Sequence, residues 1–291
     1  MALRSILICG LPESGKTTFL AALWHLLTAD SSHTQMRLEK LGQGDIKHLN
    51  ALAKRWREAK EQIHTEQSAG SLVSMHLLGQ NNAPLCLTFP DLSGESFQGF
   101  WETRDCSTKV ASIMHGSEGA MLFINANRVR AARTLIGVAS LSRQAGMPLP
   151  EGEGIKWAPT FAPTQVQLVD LLQHLSVPPL KLKSRRLAIV LSAWDKAEGE
   201  LLKPNAYFSA HLPLLQQYLD SNIHGWDWIV YGISAQGGLY LNEKHTNRYT
   251  KDELQQIENL RGLDDPSTRI RVVSEKQVSN DLTEPLVWLM R

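Results

Sequence analysis

Little in this sequence is in excess, and each shortage removes a class of function. Thirty Lys and Arg stand against 29 Asp and Glu, a net charge of +1 over 291 residues. With neither sign dominant there is no broad electrostatic footprint for nucleic acid or an anionic membrane, so no nucleic-acid partner is expected. Long apolar runs are also missing: the stretches 19–27 and 187–193 fall well short of the roughly 20 residues a membrane span needs. No membrane span is therefore expected. Cysteine is scarce. Cys9, Cys86 and Cys106 make no even set and show no C-x-x-C or Cys/His metal spacing, which argues against a disulfide scaffold or a zinc module. Cys9 and Cys86 fall in apolar strand patterns, where cysteine behaves as a small buried hydrophobe. Residues 1–5 run straight into the first strand and leave no room for a signal peptide, so a cytoplasmic location is expected. No internal repeat or low-complexity tract is present.

What is there begins at once. Residues 6–9 (Ile-Leu-Ile-Cys) form an apolar strand that runs into Gly10, Leu11, Pro12, Glu13, Ser14, Gly15, Lys16, Thr17 and Thr18 and then into an amphipathic helix carrying Phe19, Leu20, Leu23, Trp24 and Leu27. Gly10 and Gly15 let the backbone take conformations closed to other residues, so that consecutive N–H groups turn inward on an anion. The helix starting after Gly15 points its positive end at the same spot. Lys16 is spaced to reach β and γ phosphates, and the Thr17 hydroxyl to ligate a magnesium ion bridging them. The bare pattern G-x-x-x-x-G-K-[ST] arises by chance in roughly one chain of this length in a hundred. Flanked by a strand and a helix, it reads as a nucleotide-binding loop.

Three later strand ends add to it, and in a doubly wound sheet ligand groups gather at the carboxyl ends of strands. The first follows an expected hairpin, 72–78 and 84–89, which sets one strand antiparallel to its neighbour, and supplies Asp91 to Gly94 as D-x-x-G. A carboxylate there can hold magnesium through water, and a glycine N–H can bond a γ phosphate; an acidic β-turn looks the same. The second follows the strand 186–192 and ends in Asp195, which can accept two hydrogen bonds from the N1–H and amine of guanine, neither of which adenine offers. The third follows a strand over 226–233, where Ser234 and Ala235 would present a backbone N–H to the base oxygen. Taken singly, Asp195 and Ser234 have plain alternatives as cap and turn residues.

Between these ends the periodicity predicts a strand over 36–41, a helix over 45–63 with Asp45 as N-cap, helices over 107–115, 165–175, 207–218 and 251–259, a buried parallel strand over 119–125, and a final strand (269–273) and helix (282–290). Residues 146–163 collect proline and glycine and read as a long loop. Lys47, Lys54, Arg55, Arg57 and Lys60 form a basic face on the 45–63 helix, a partner surface or, with Glu58 and Glu61 interleaved, a solvated face.

The ordered set 10–17, 91–94, 192–195 and 234–236 resembles the G domain of the translation-factor-like and Ras-like (TRAFAC) GTPases. More narrowly, the stretches 10–25, 89–95 and 191–195 resemble the bacterial double-GTPase family. The resemblance implies an α/β fold, a three-layer α/β/α sandwich of P-loop NTPase type with a mostly parallel sheet and one antiparallel strand. It implies a single G domain over 1–291 with insertions at about 36–64, 127–183 and 239–268. It further implies GTP and GDP as ligands with Mg2+, GTP hydrolysis, a nucleotide-state switch, and action in a prokaryotic conflict or defence system with a second GTPase and associated proteins. By the same resemblance Thr65 is the first-switch threonine, with Thr34 as competitor. Thr17, Thr65 and Asp91 would hold the metal, and Lys16, Thr65, Gly94 and Glu95 would serve the reaction.

Two departures qualify this. Ser192-Ala193-Trp194-Asp195 replaces Asn-Lys-x-Asp, so the lysine stem that covers the base is absent and Trp194 or Lys196 would supply the cover. Glu95 stands where many relatives place a water-orienting glutamine, and a carboxylate facing the γ phosphate would repel it, which points to slow or partner-stimulated hydrolysis. A charge-stabilising arginine would come from Arg104 or from a partner, although a surface ion pair also explains Arg104. The alternatives are a nucleotide-gated module that turns nothing over, and a P-loop ATPase or kinase.

Overall fold

The computed structural model describes residues 4–29, 34–62, 72–90, 95–131, 146, 156, 158–197 and 203–291. Its frame is a nine-stranded sheet in the order β2-β3-β4-β1-β5-β6-β7-β8-β9. β1 (Arg4–Cys9) lies between β4 (Pro84–Phe89) and β5 (Gly119–Asn125), parallel to both, and β6 (Arg186–Ser192) and β7 (Asp227–Ser234) continue in the same direction. The middles of these strands are mostly apolar because both faces are covered, and polar residues fall mainly at their ends. Strand alternation then sorts the side chains. Ile6 and Ile8 enter one core with the helices α1 (Lys16–Thr28) and α2 (Ile46–Arg57), while Leu7 and Cys9 enter the other with α3 (Glu95–Thr103) and α4 (Thr108–Gly116). Two helical layers thus sandwich the sheet.

The expected hairpin is present. β3 (Val73–Leu78) runs antiparallel to β4, and β2 (Arg37–Gln43) extends the sheet beyond it with two register shifts. The sheet also gains a second reversed strand at its far edge, β8 (Arg271–Val273), paired with β7 and with the short β9 (Val278–Ser279). α2 starts at its predicted cap, the Asp45 side chain accepting from the Lys47 N–H at 2.8 Å, and buries Leu49, Leu52, Ala53 and Trp56.

Elsewhere the elements differ from expectation. α3 occupies a stretch where no helix was expected, and its Phe97 and Phe100 are buried. α5 (Thr164–His174) is close to its predicted span. The predicted 207–218 helix is two, α6 (Pro204–His211) and α7 (Pro213–Asp220), because Pro213 has no N–H to continue the ladder and is tolerated only in a first turn. α8 (Lys251–Arg261) carries a Thr250/Glu253 capping box, and α9 (Glu284–Leu289) closes the chain with Trp288 packed against the core.

Candidate functional site

The loop between β1 and α1 is wound tightly enough to exclude side chains at its glycines. Gly10 has φ +150 and a Cβ there would meet the Phe123 carbonyl at 2.6 Å; Gly15 has φ +91 and its Cβ would meet Ser192 Oγ at 2.8 Å. Glu13 takes a left-handed φ of 58 despite its side chain. Two outside contacts hold it there: Asn125 Nδ2 donates to its carbonyl at 3.0 Å and Arg128 pairs with its carboxylate, the over-determination that a strained residue requires. Lys16 is 2% exposed. Its ammonium donates to the Gly10 and Leu11 carbonyls, each at 3.0 Å, and to Ser14 Oγ at 3.2 Å. The lysine therefore lies wrapped in the loop, its charge held among the loop's own acceptor oxygens. Beneath it the Cys9 thiol is pushed up to about 12 by burial, with the Lys16 charge opposing, and stays a neutral packing group.

A cleft of about 210 Å³ opens from this loop. Glu13, Ser14, Gly15, Lys16, Thr17, Thr18, Asp195 and Ala235 all line it. Ser192, the last residue of β6, ties that strand to the loop, its hydroxyl donating to the Ser14 carbonyl at 2.7 Å. Ser234 does not line the cleft. Its buried hydroxyl accepts from the Asp195 N–H at 2.7 Å and so fixes the backbone that carries the carboxylate. The Ala235 carbonyl accepts from the Trp56 indole at 2.8 Å, and Arg269 stacks over that indole at 4.1 Å. Burial lowers the Arg269 guanidinium to about 10.

Several predicted residues lie elsewhere. Thr65, Asp91 and Gly94 fall outside the described residues. Thr34 donates its hydroxyl to the Met36 carbonyl at 2.7 Å, away from the cleft lining. Pro12 lines a second hollow with Gln98 and Arg130 rather than the cleft. Glu95 is the exposed first residue of α3 and is not among the residues lining the cleft. Arg104 pairs with Asp170 and sits over Trp101 at 5.1 Å, a surface arrangement. Trp194 does not line the cleft: it is buried in the core, so close to β7 that a Cβ on Gly232 would meet its ring at 2.5 Å. Lys196 is left at the cleft, its ammonium 5.5 Å from the Tyr240 ring centroid.

Residues that the sequence did not assign to this site complete the walls. Asn125 ends β5 and Arg128 follows it, and their signal was available, since β5 lies beside β1 and ligand groups gather at such strand ends. Lys60 and Glu61 were expected only on the charged face of the 45–63 helix, and Gln62 and Tyr240 carry no local signature. They come together because residue 241 pairs with 59–61, the Leu241 N–H donating to Ala59 at 2.7 Å and the Glu61 N–H to Leu241 at 2.9 Å.

Of the predicted metal ligands the described residues retain Thr17, a hard oxygen donor at the head of α1 that lines the cleft beside Lys16, and such a donor suits magnesium. Among the described residues there is no cluster of His, Cys, Asp and Glu that makes a metal site of its own, and no helix long and apolar enough to cross a membrane.

Comparison with solved structures gives the Arl6 BBS3 small GTPase of Trypanosoma brucei with bound GppNp, at 10% identity and TM-score 0.36 over 89% of this chain and 98% of that one. It also gives the Ski7 GTPase-like domain of S. cerevisiae bound to GDP and inorganic phosphate, at 14% and 0.41 over 91% of this chain and 51% of that one. A bacterial selenocysteine-specific elongation factor follows at 12% and 0.33, with 89% and 30% covered. The chain thus spans about half of the Ski7 chain and under a third of the elongation factor. No curated protein matches it. The profile of Double-GTPase 1 matches residues 7–289, nearly the whole length, and the chain belongs to that family.

Proposed function

We propose that this chain is a G domain that binds GTP with magnesium and hydrolyses it slowly, using the presence of the γ phosphate as a switch. The observation that carries the reading is a single cleft lined by both the Lys16 loop and Asp195. Lys16 and the loop N–H groups bind the phosphates, and Asp195 accepts from the guanine N1–H and amine, a pairing that rejects adenine. Thr17, Thr65 and Asp91 would hold magnesium, which neutralises charge building on the β and γ oxygens. Thr65 and the 91–94 turn would order around the triphosphate, with Gly94 beside the attacking water and Glu95 reaching it only through a shift of the start of α3. The insertions at about 36–64, 127–183 and 239–268 would serve partners, a second GTPase and associated proteins of a bacterial conflict system in the cytoplasm. Calorimetric titration tests the reading. Magnesium-GTP is expected to bind at least about tenfold tighter than magnesium-ATP, and Lys16→Ala to abolish both; equal affinities, or an unchanged Lys16→Ala, would sink it.

A second reading is favoured by Glu95, the residue expected near the attacking water, which is exposed and does not line the cleft. In that reading nucleotide gates an interaction and is not turned over. Phosphate release followed over hours separates the two.

A further inference from the structure

Guanine specificity by a carboxylate needs the purine held flat in the plane of that carboxylate, and this chain lacks the residue that usually does so, since Ala193 stands where a lysine stem would lie. Among the described residues, the aromatic ones lining the cleft are Phe19, Phe123 and Tyr240. Phe19 and Phe123 pack edge to face at 5.0 Å and are buried in the core. Trp194, the aromatic nearest in sequence, is held under β7. Tyr240 is half-buried, and so has ring surface to offer.

Its backbone is tied down from its carbonyl onward. The Tyr240 carbonyl accepts from the Tyr249 hydroxyl at 3.0 Å, and Leu241, the next residue, exchanges hydrogen bonds with Ala59 and Glu61. A ring carried on such a frame loses little freedom when a ligand stacks on it. Lys196, next to Asp195, places its ammonium 5.5 Å from the ring centroid, which brings an aliphatic stem and a cation to the same wall.

We propose that Tyr240, flanked by Lys196, is the stacking surface for the purine, a base-contact residue that replaces the missing lysine stem while Asp195 reads the base edge. The inference rests on the nucleotide-binding reading above. Stacking on a π face is indifferent to which purine is bound, so the two roles separate experimentally. The full chain is titrated with magnesium-GDP and magnesium-ADP, and folding of each variant is checked by circular dichroism. Tyr240→Ala is expected to weaken both ligands by a similar factor, about tenfold or more, with the guanine-to-adenine ratio kept, and Tyr240→Phe to restore affinity because the hydroxyl is not used. Asp195→Asn is expected to collapse the ratio instead. Should Tyr240→Ala fail to fold, Tyr240→Leu keeps the bulk and removes the π face, and the same losses are expected. A folded Tyr240→Ala or Tyr240→Leu whose GDP affinity stays within about twofold of the parent, while Lys16→Ala abolishes binding, overturns the stacking role alone. A loss confined to GDP also overturns it, because it would mean that Tyr240 reads the base edge. If Lys16→Ala leaves GDP binding intact, the nucleotide reading fails and this inference with it.

Discussion

In the proposed site, every described group assigned to the phosphates lies in the run from Gly10 to Thr18, between one strand and one helix. The groups assigned to the base, Asp195, Ala235 and Tyr240, come from separate strand ends and from a loop pinned by residues 59–61. The contrast is between a site made by local backbone geometry and one made by tertiary contact. Grip on an anion needs only N–H groups and one ammonium, which a short loop can aim. Recognition of a base edge needs a carboxylate, a donor and a flat wall at fixed mutual angles, and only a packed core supplies that. The first set should therefore respond to changes in its own residues, and the second to changes in whatever packs behind it.

The largest expected effect falls on the loop. Gly15→Ala places a Cβ 2.8 Å from Ser192 Oγ on a residue with φ +91. The left-handed backbone and the overpacking together cost about 2–4 kcal/mol. Relief requires Ser192 to move, which also strains its 2.7 Å bond to the Ser14 carbonyl. Denaturant unfolding should show the loss of stability, and nucleotide titration the loss of binding. A variant as stable as the parent would mean that the loop is softer than its contacts indicate and would weaken the contrast drawn here.

The same contrast explains what the sequence revealed. The loop was legible because eight consecutive residues carry both the conformation and the chemistry. The central strands were legible because burial on both faces leaves an unbroken apolar run, as in β5 and β6. α3 was missed because Phe97 and Phe100 are its only buried residues, too sparse for a periodic pattern. The break before Pro213 was legible and overlooked. Tyr240 was not legible at all, since nothing near it in sequence states that residue 241 pairs with 59–61. Ser192 read as a departure from Asn, and only the fold shows its hydroxyl binding the phosphate loop to β6.

A smaller effect tests the base-assigned groups from behind. Trp56 lies on α2, and its indole N–H meets the Ala235 carbonyl at 2.8 Å in the core. Trp56→Phe keeps an aromatic ring beneath Arg269 and beside His25 but deletes that donor, leaving a buried carbonyl unpaired at a cost of about 1–2 kcal/mol. The guanine-to-adenine ratio should fall several-fold while inorganic triphosphate binds as before, because the loop is untouched. Equal weakening of both would show that α2 supports the whole cleft and would erase the division between the two sets.

The smallest effect is a pH dependence in the same support. His25, in the last turn of α1, lies with its ring 5.1 Å from that of Trp56. Burial, reinforced by the nearby positive charges of Arg57 and Arg269 and opposed by Asp265, lowers its imidazole below 6.5. Because the folded state then binds a proton less readily than the unfolded chain, the unfolded state holds more protons below pH 6.5, and stability falls as the pH drops through that window. Carboxylates titrate over part of the same range, so the raw slope is not the readout. The difference between the parent and His25→Gln, taken from urea midpoints at pH 7.5 and 5.5, isolates the imidazole: the parent should lose more stability on acidification than the variant. Guanine affinity should follow the same difference and inorganic triphosphate affinity should not, since protonation places a charge beside the Trp56 ring whose N–H holds Ala235, and leaves Lys16 in its loop.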